Sequence, residues 1–215
     1  FKRALELNPR LALAYDQLAW IQTVFGRFNE AISNEQKAIE LDPLSLMFNS
    51  NLGYVLTTAR RYDEAMAQYR KTLELDPSFV VAYSWLSGSG LGWCSVYKGD
   101  TAGAIAAFQK ANALNPAPWT ESALAYAYAR AGDRAKAEQM LRDWDDRAKQ
   151  RYLSRGLRAT LPHGVGEKDK ALDWLEKSYE EQDTYCWGLK VYQLYDPVRT
   201  EPRFQALLRK VGLDQ

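Results

Sequence analysis

Histidine occurs once in the 215-residue chain, at 163, and cysteine only at 94 and 186. One imidazole cannot supply a multi-histidine metal site, and two cysteines build neither a disulfide-rich scaffold nor a four-cysteine zinc site. Charge of one sign is also missing: Lys+Arg 28 against Asp+Glu 27 leaves a net charge of +1. So balanced a chain lacks the basic excess that holds nucleic acid or an anionic membrane surface. No apolar run approaches the roughly 18 residues that a membrane-spanning helix needs, and the opening residues, FKRALELNPR, do not read as a secretory leader. A cytoplasmic location is the expectation, without membrane or nucleic-acid partners.

Catalytic motifs are equally scarce. There is no Walker loop, no His-Glu-x-x-His and no Gly-x-Ser-x-Gly. The stretch Gly88-Ser89-Gly90-Leu91-Gly92 resembles a phosphate loop only superficially, because the Lys-Ser/Thr is absent; it reads as an inserted loop. His163 sits between Pro162 and Gly164, away from any nucleophile that it could activate. Cys94 and Cys186 lie in aromatic surroundings that suggest buried, inert thiols. Asp63-Glu64 reads as the charge at a helix start and Asp145-Asp146 as a solvated face. The cluster Arg142, Arg147, Lys149, Arg151, Arg155 and Arg158 is interleaved with Asp143, Asp145 and Asp146, which partly cancel it. The expectation is a protein that is not an enzyme and uses no metal or cofactor.

What the chain has is a period. Ala-Leu-Glu-Leu-Asn-Pro at 4–9 returns as Ala-Ile-Glu-Leu-Asp-Pro at 38–43 and Thr-Leu-Glu-Leu-Asp-Pro at 72–77, then more loosely as Ala-Asn-Ala-Leu-Asn-Pro at 111–116. The prolines step by 34, 34 and 39 residues, and the alanines 31, 65, 104, 137 and 171 step by 34, 39, 33 and 34. Two independent markers share the 39-residue step, so one unit carries a five-residue insertion, placed around Ser87-Gly88-Ser89-Gly90.

The spacing resembles the tetratricopeptide repeat, whose unit carries a Leu-Gly pair, aromatic positions, alanines and a closing proline. The pair reads Leu18-Ala19, Leu52-Gly53, Leu91-Gly92 and Leu124-Ala125. The later aromatic is Phe1, Tyr69 and Phe108, with Glu35, Leu141 and Leu175 as departures. The resemblance covers about the first 150 residues strongly and the next 35 weakly. It implies an all-α, right-handed superhelical solenoid of antiparallel helix pairs, ending in a C-terminal capping helix.

In this register, residues 1–11 are the second half of a repeat, 12–45 and 46–79 are full units, and 80–117 is the unit with the insertion. Residues 118–151 form a further unit, 152–187 a degenerate one, and 188–215 a loop and capping helix. In the inserted unit the glycines predict a broken first helix; in the degenerate unit Pro162 predicts an irregular one. Asn29 and Asp63 are candidate caps for second helices, and the turn glycines Gly26 and Gly99 candidate left-handed helix ends. Starting mid-repeat, the chain reads as a fragment of a longer polypeptide. Its stretches 166–177 and 196–204 are similar to the ends of certain bacterial multidomain regulators, in which such arrays often follow an effector domain.

The groove of such a solenoid is lined by a second stripe on each first helix. Turning about 140° from the packing stripe, at 100° per residue, gives Leu13, Asp16, Trp20, Thr23 and Val24. The equivalents include Met47, Ser50, Asn51, Tyr54, Thr57 and Thr58, then Trp93 and Tyr97, then Tyr126 and Arg130. One position is aromatic in four units: Trp20, Tyr54, Trp93 and Tyr126. These rings suit either a peptide platform or packing between successive helices. The resemblance implies a protein-interaction module that holds a peptide or protein segment. Some members of the family hold a C-terminal carboxylate with Lys, Asn and Arg residues on these helices; here the positions carry Asp16, Asn51 and Arg130 but no lysine, so an apolar or proline-bearing segment fits better than an acidic tail. The alternative is a structural or self-associating module whose groove is filled from within the same protein.

Overall fold

The structure is a computed structural model that describes residues 1–85, 88–149, 154, 157–158, 166–182 and 188–213. His163, Pro162, Cys186 and Ser87 lie outside the described residues, as does the expected irregular first helix of the degenerate unit. Helices dominate. The first is α1 (Lys2–Leu7), followed by α2 (Ala12–Val24), α3 (Phe28–Leu41), α4 (Leu46–Thr58) and α5 (Tyr62–Leu75). Next come α6 (Val80–Tyr83), α7 (Leu91–Lys98), α8 (Thr101–Leu114), α9 (Pro118–Arg130) and α10 (Arg134–Ala148). The chain ends with α11 (Lys168–Glu180), a 3₁₀ helix (Gln193–Val198) and α12 (Pro202–Lys210). Among the described residues there is no β-strand, only a bridge between Trp85 and Ser89.

Packing is that of a solenoid: α2 lies on α3, α4 on α5, α7 on α8 and α9 on α10, with each pair resting on the next. The alanines that marked the period explain the close approach. Ala31, Ala65, Ala104 and Ala137 are completely buried where these pairs cross, and Ala171 on α11 is completely buried as well. In the inserted unit the first helix is split into α6 and α7, and Gly90 between them has φ 103°. Tyr97 Oη donates to Gly88 O at 2.9 Å and ties the inserted turn back onto α7.

Helix ends correct one expectation. The residue between the helices of a pair is left-handed, so the cap falls earlier than Asn29 and Asp63: the N-cap positions of α3 and α5 are Arg27 and Arg61, without side-chain caps. At α8 and α10 the same position is aspartate, and it does cap, with Asp100 Oδ1 accepting from Gly103 N and Asp133 Oδ1 from Lys136 N; at α11 it is Glu167, without a side-chain cap.

Among the described residues the core forms two large clusters and a small one of Trp144 and Leu157. One joins α2 to α7 around Val55, Tyr69 and Cys94. The other runs from Trp93 and Phe108 through Tyr126 to Leu189, Tyr195, Phe204 and Leu208. Tyr192 packs against both. The amphipathic α12 buries Phe204, Leu207 and Leu208, as an end-covering helix should.

Candidate interaction surface

The groove stripe is occupied over part of its length by the chain itself. A strap, residues 188–199, crosses the C-terminal end of α4. Gln193 Nε2 donates to Thr57 O at 3.1 Å and to Thr58 O at 2.8 Å. Arg60 Nη2 pairs with Asp196 Oδ2 at 2.7 Å. The rings of Tyr54 and Tyr192 meet edge-on at 6.4 Å.

The strap is knit internally by one side chain. Arg199 donates to the carbonyl oxygens of Leu189, Lys190 and Tyr192, and its Nε bonds Asp196 Oδ1 at 3.0 Å. Such a guanidinium, with donors spread around a fixed fork, freezes a loop that has no ladder of its own.

Beneath the strap the sequence-predicted residues are mostly buried. Tyr54 is 7% exposed, Trp93 3% and Tyr126 8%. Trp93 meets Tyr126 at 5.2 Å and stacks on Tyr97 at 6.1 Å, so these rings pack between successive first helices. Burial pushes the Tyr54 and Tyr126 hydroxyls above the usual tyrosine range. Thr57 is buried, donating to Gly53 O at 2.8 Å and lying 3.3 Å from Cys94 Sγ. Burial raises the Cys94 thiol to about 11, so it is held as the unreactive thiol. Ser50 is buried and Arg130 exposed.

The first unit differs. Trp20 is 40% exposed, Leu13 56% and Met47 43%. Between them Asn51 Nδ2 donates to the buried Asp16 at 2.6 Å, joining α2 to α4. Glu35, which stands where sister units carry Tyr69 and Phe108, is buried beside Asp16. Burial, reinforced by the Asp16 charge, pushes its carboxyl to about 9, and Oε2 has no hydrogen-bond partner.

Sequence reasoning missed the strap residues Tyr192, Gln193 and Asp196, and with them Arg60. Among the described residues no group of three His, Cys, Asp or Glu side chains could hold a metal, and no helix is long and apolar enough to cross a membrane. The cavity between α9, α10 and Leu157 measures about 150 Å³, well below the roughly 300 Å³ at which small-molecule sites begin.

A tetratricopeptide-repeat model matches residues 48–79, the unit of α4 and α5. That unit is a tetratricopeptide repeat, and the chain as a whole has the tetratricopeptide-repeat solenoid fold. No curated protein matches it. Solved structures share the fold along nearly the whole chain. PilW, described as a widely conserved type IV pilus biogenesis factor, is 24% identical with TM-score 0.63, over 96% of this chain and 87% of that one. TTC0263, a thermophilic tetratricopeptide-repeat protein of Thermus thermophilus, is 16% identical with TM-score 0.62, over 94% and 99%. YrrB, described as having an unusual peptide-binding site, is 20% identical with TM-score 0.52, over 88% and 95%. Tetratricopeptide repeats are in general protein-interaction scaffolds, which is the function class this fold supports.

Proposed function

We propose that this tetratricopeptide-repeat solenoid is a non-catalytic scaffold that holds a partner segment along its groove stripe. The supporting observation is the strap: the surface of Tyr54, Thr57 and Thr58 already holds a non-α segment by backbone carbonyls, a salt bridge and ring contacts. The more exposed part of the stripe, Leu13, Trp20 and Met47 around Asp16 and Asn51, is the entry for a partner, and its exposed apolar surface favours an apolar or proline-bearing segment. Ser50, Tyr54, Thr57, Trp93, Tyr97, Tyr126 and Arg130 continue the stripe towards the C-terminus. That YrrB is described by its peptide-binding site agrees with this use of the fold.

The test is a peptide-display selection against the whole chain, followed by titration of selected peptides against wild type and a Trp20→Ala, Leu13→Ser double variant. A loss of roughly ten-fold or more, the scale of an aromatic hot spot, supports the proposal. The strap also favours a second reading, a structural module whose groove is filled from within. That reading gains if selection yields no binder, or only binders indifferent to the double variant, while light scattering shows self-association.

A further inference from the structure

The residue between the two helices of a unit is left-handed throughout, and glycine holds that place at Gly26, Gly99, Gly132 and Gly166, with φ between 76° and 85°. In the unit of α4 and α5 the residue is Arg60, at φ 63°. A side chain there carries a conformational cost that glycine avoids, and such an outlier is a reason to look for what its side chain does. Arg60 reaches the strap, pairing with Asp196.

The helix end beside it is made to receive the strap. Arg60 N bonds Thr57 O and Arg61 N bonds Leu56 O, the Schellman closure, which leaves Thr58 O without a backbone donor at the negative end of α4. Gln193 supplies the missing donor. Gln193 and Asp196 are three residues apart in a 3₁₀ helix, where i and i+3 eclipse. One turn therefore delivers an amide to the carbonyl end and a carboxylate to the arginine together. Because Arg199 ties the strap to itself, these contacts make and break as a unit.

We infer that the C-terminal end of α4 with Arg60 is a docking socket for a Gln-x-x-Asp turn flanked by aromatic residues. The chain's own Tyr192–Asp196 is its resident occupant, and a partner segment of the same chemistry gains the groove by replacing it. The replacement step rests on the scaffold reading above; the latch does not.

The test uses the whole chain. Arg60→Gly places in this unit the residue of its sisters, so folding is expected to survive. Backbone hydrogen exchange of residues 193–198 should accelerate about ten-fold or more, with α2 and α3 unchanged; unchanged strap exchange overturns the latch. The probe is a labelled peptide with the sequence of residues 188–200. It should bind a Gln193→Ala, Asp196→Asn chain at least ten-fold more tightly than wild type, and adding Arg60→Gly should remove the gain. Equal binding to the two chains, or a gain that survives Arg60→Gly, overturns the socket. If the latch responds but display peptides ignore Trp20, the scaffold reading fails and the latch stands. If display peptides need Trp20 while Arg60→Gly leaves exchange untouched, the reverse holds.

Discussion

Gly53 and Tyr69 share one space: a Cβ on Gly53 would stand 2.5 Å from the Tyr69 ring, inside any real contact. The next unit repeats the relationship at 2.3 Å between Gly92 and Phe108. In the units where the small residue is alanine, Ala19 and Ala125, the corresponding second-helix position holds Glu35 and Leu141 instead of a ring. These two departures from the repeat pattern are paired substitutions across a helix crossing.

Gly53→Ala is accordingly expected to destabilise the fold by about 1–3 kcal/mol through overpacking. Tyr69→Leu in the same chain should return part of that loss, since it vacates the space. Urea denaturation of the two single variants and the double variant checks the coupling; strictly additive losses would be inconsistent with it.

Glu35 predicts a pH dependence with a definite sign. Its folded carboxyl titrates near 9 against an ordinary 4.5, so burial favours the neutral form. That stability is fully present below about 4.5 and is lost as pH rises through about 9, at no more than about 1.4 kcal/mol per pH unit. Thermal melts of wild type should therefore fall relative to Glu35→Gln between pH 5 and 9. Parallel profiles would mean that Glu35 is ionised at neutral pH.

The four aromatic positions should separate into two behaviours. Trp93→Ala removes a buried ring and is expected to cost about 3–5 kcal/mol, with Tyr54→Ala similar in kind. Trp20→Ala should change stability by less than about 1 kcal/mol and act on partner affinity instead. Denaturation midpoints with a peptide titration on each variant decide this; a large stability loss at Trp20 would make it core.

Ala104 is completely buried where α7 and α8 cross. Ala104→Leu should cost about 1–3 kcal/mol, and Ala65→Leu the same. A variant that melts like the parent would place these alanines away from the crossing.

The helices and their crossings were legible because each repeats a local pattern: prolines end second helices, and buried alanines return at fixed steps. The split first helix was legible from its glycines. The strap was not, because Gln193 reaches α4 across 135 residues and no periodicity carries such a contact. Helical spacing tells which face Tyr54 and Trp93 share, not what lies on it, so their burial under Tyr192 and against Tyr126 stayed open. Arg60 was the available signal, a side chain in a column of glycines. The caps were misplaced by two residues because the left-handed residue shifts the start of each second helix.

An open solenoid under tension unravels from its ends, one unit after another, since each touches only its neighbours. The bond from Gln193 to Thr58 alters the route that force takes through this chain. A pull on Lys210 loads α4 directly through the strap, so the units between them are shielded until the latch breaks. In single-molecule stretching they should then give way after one larger first event, not in a graded series from the C-terminus.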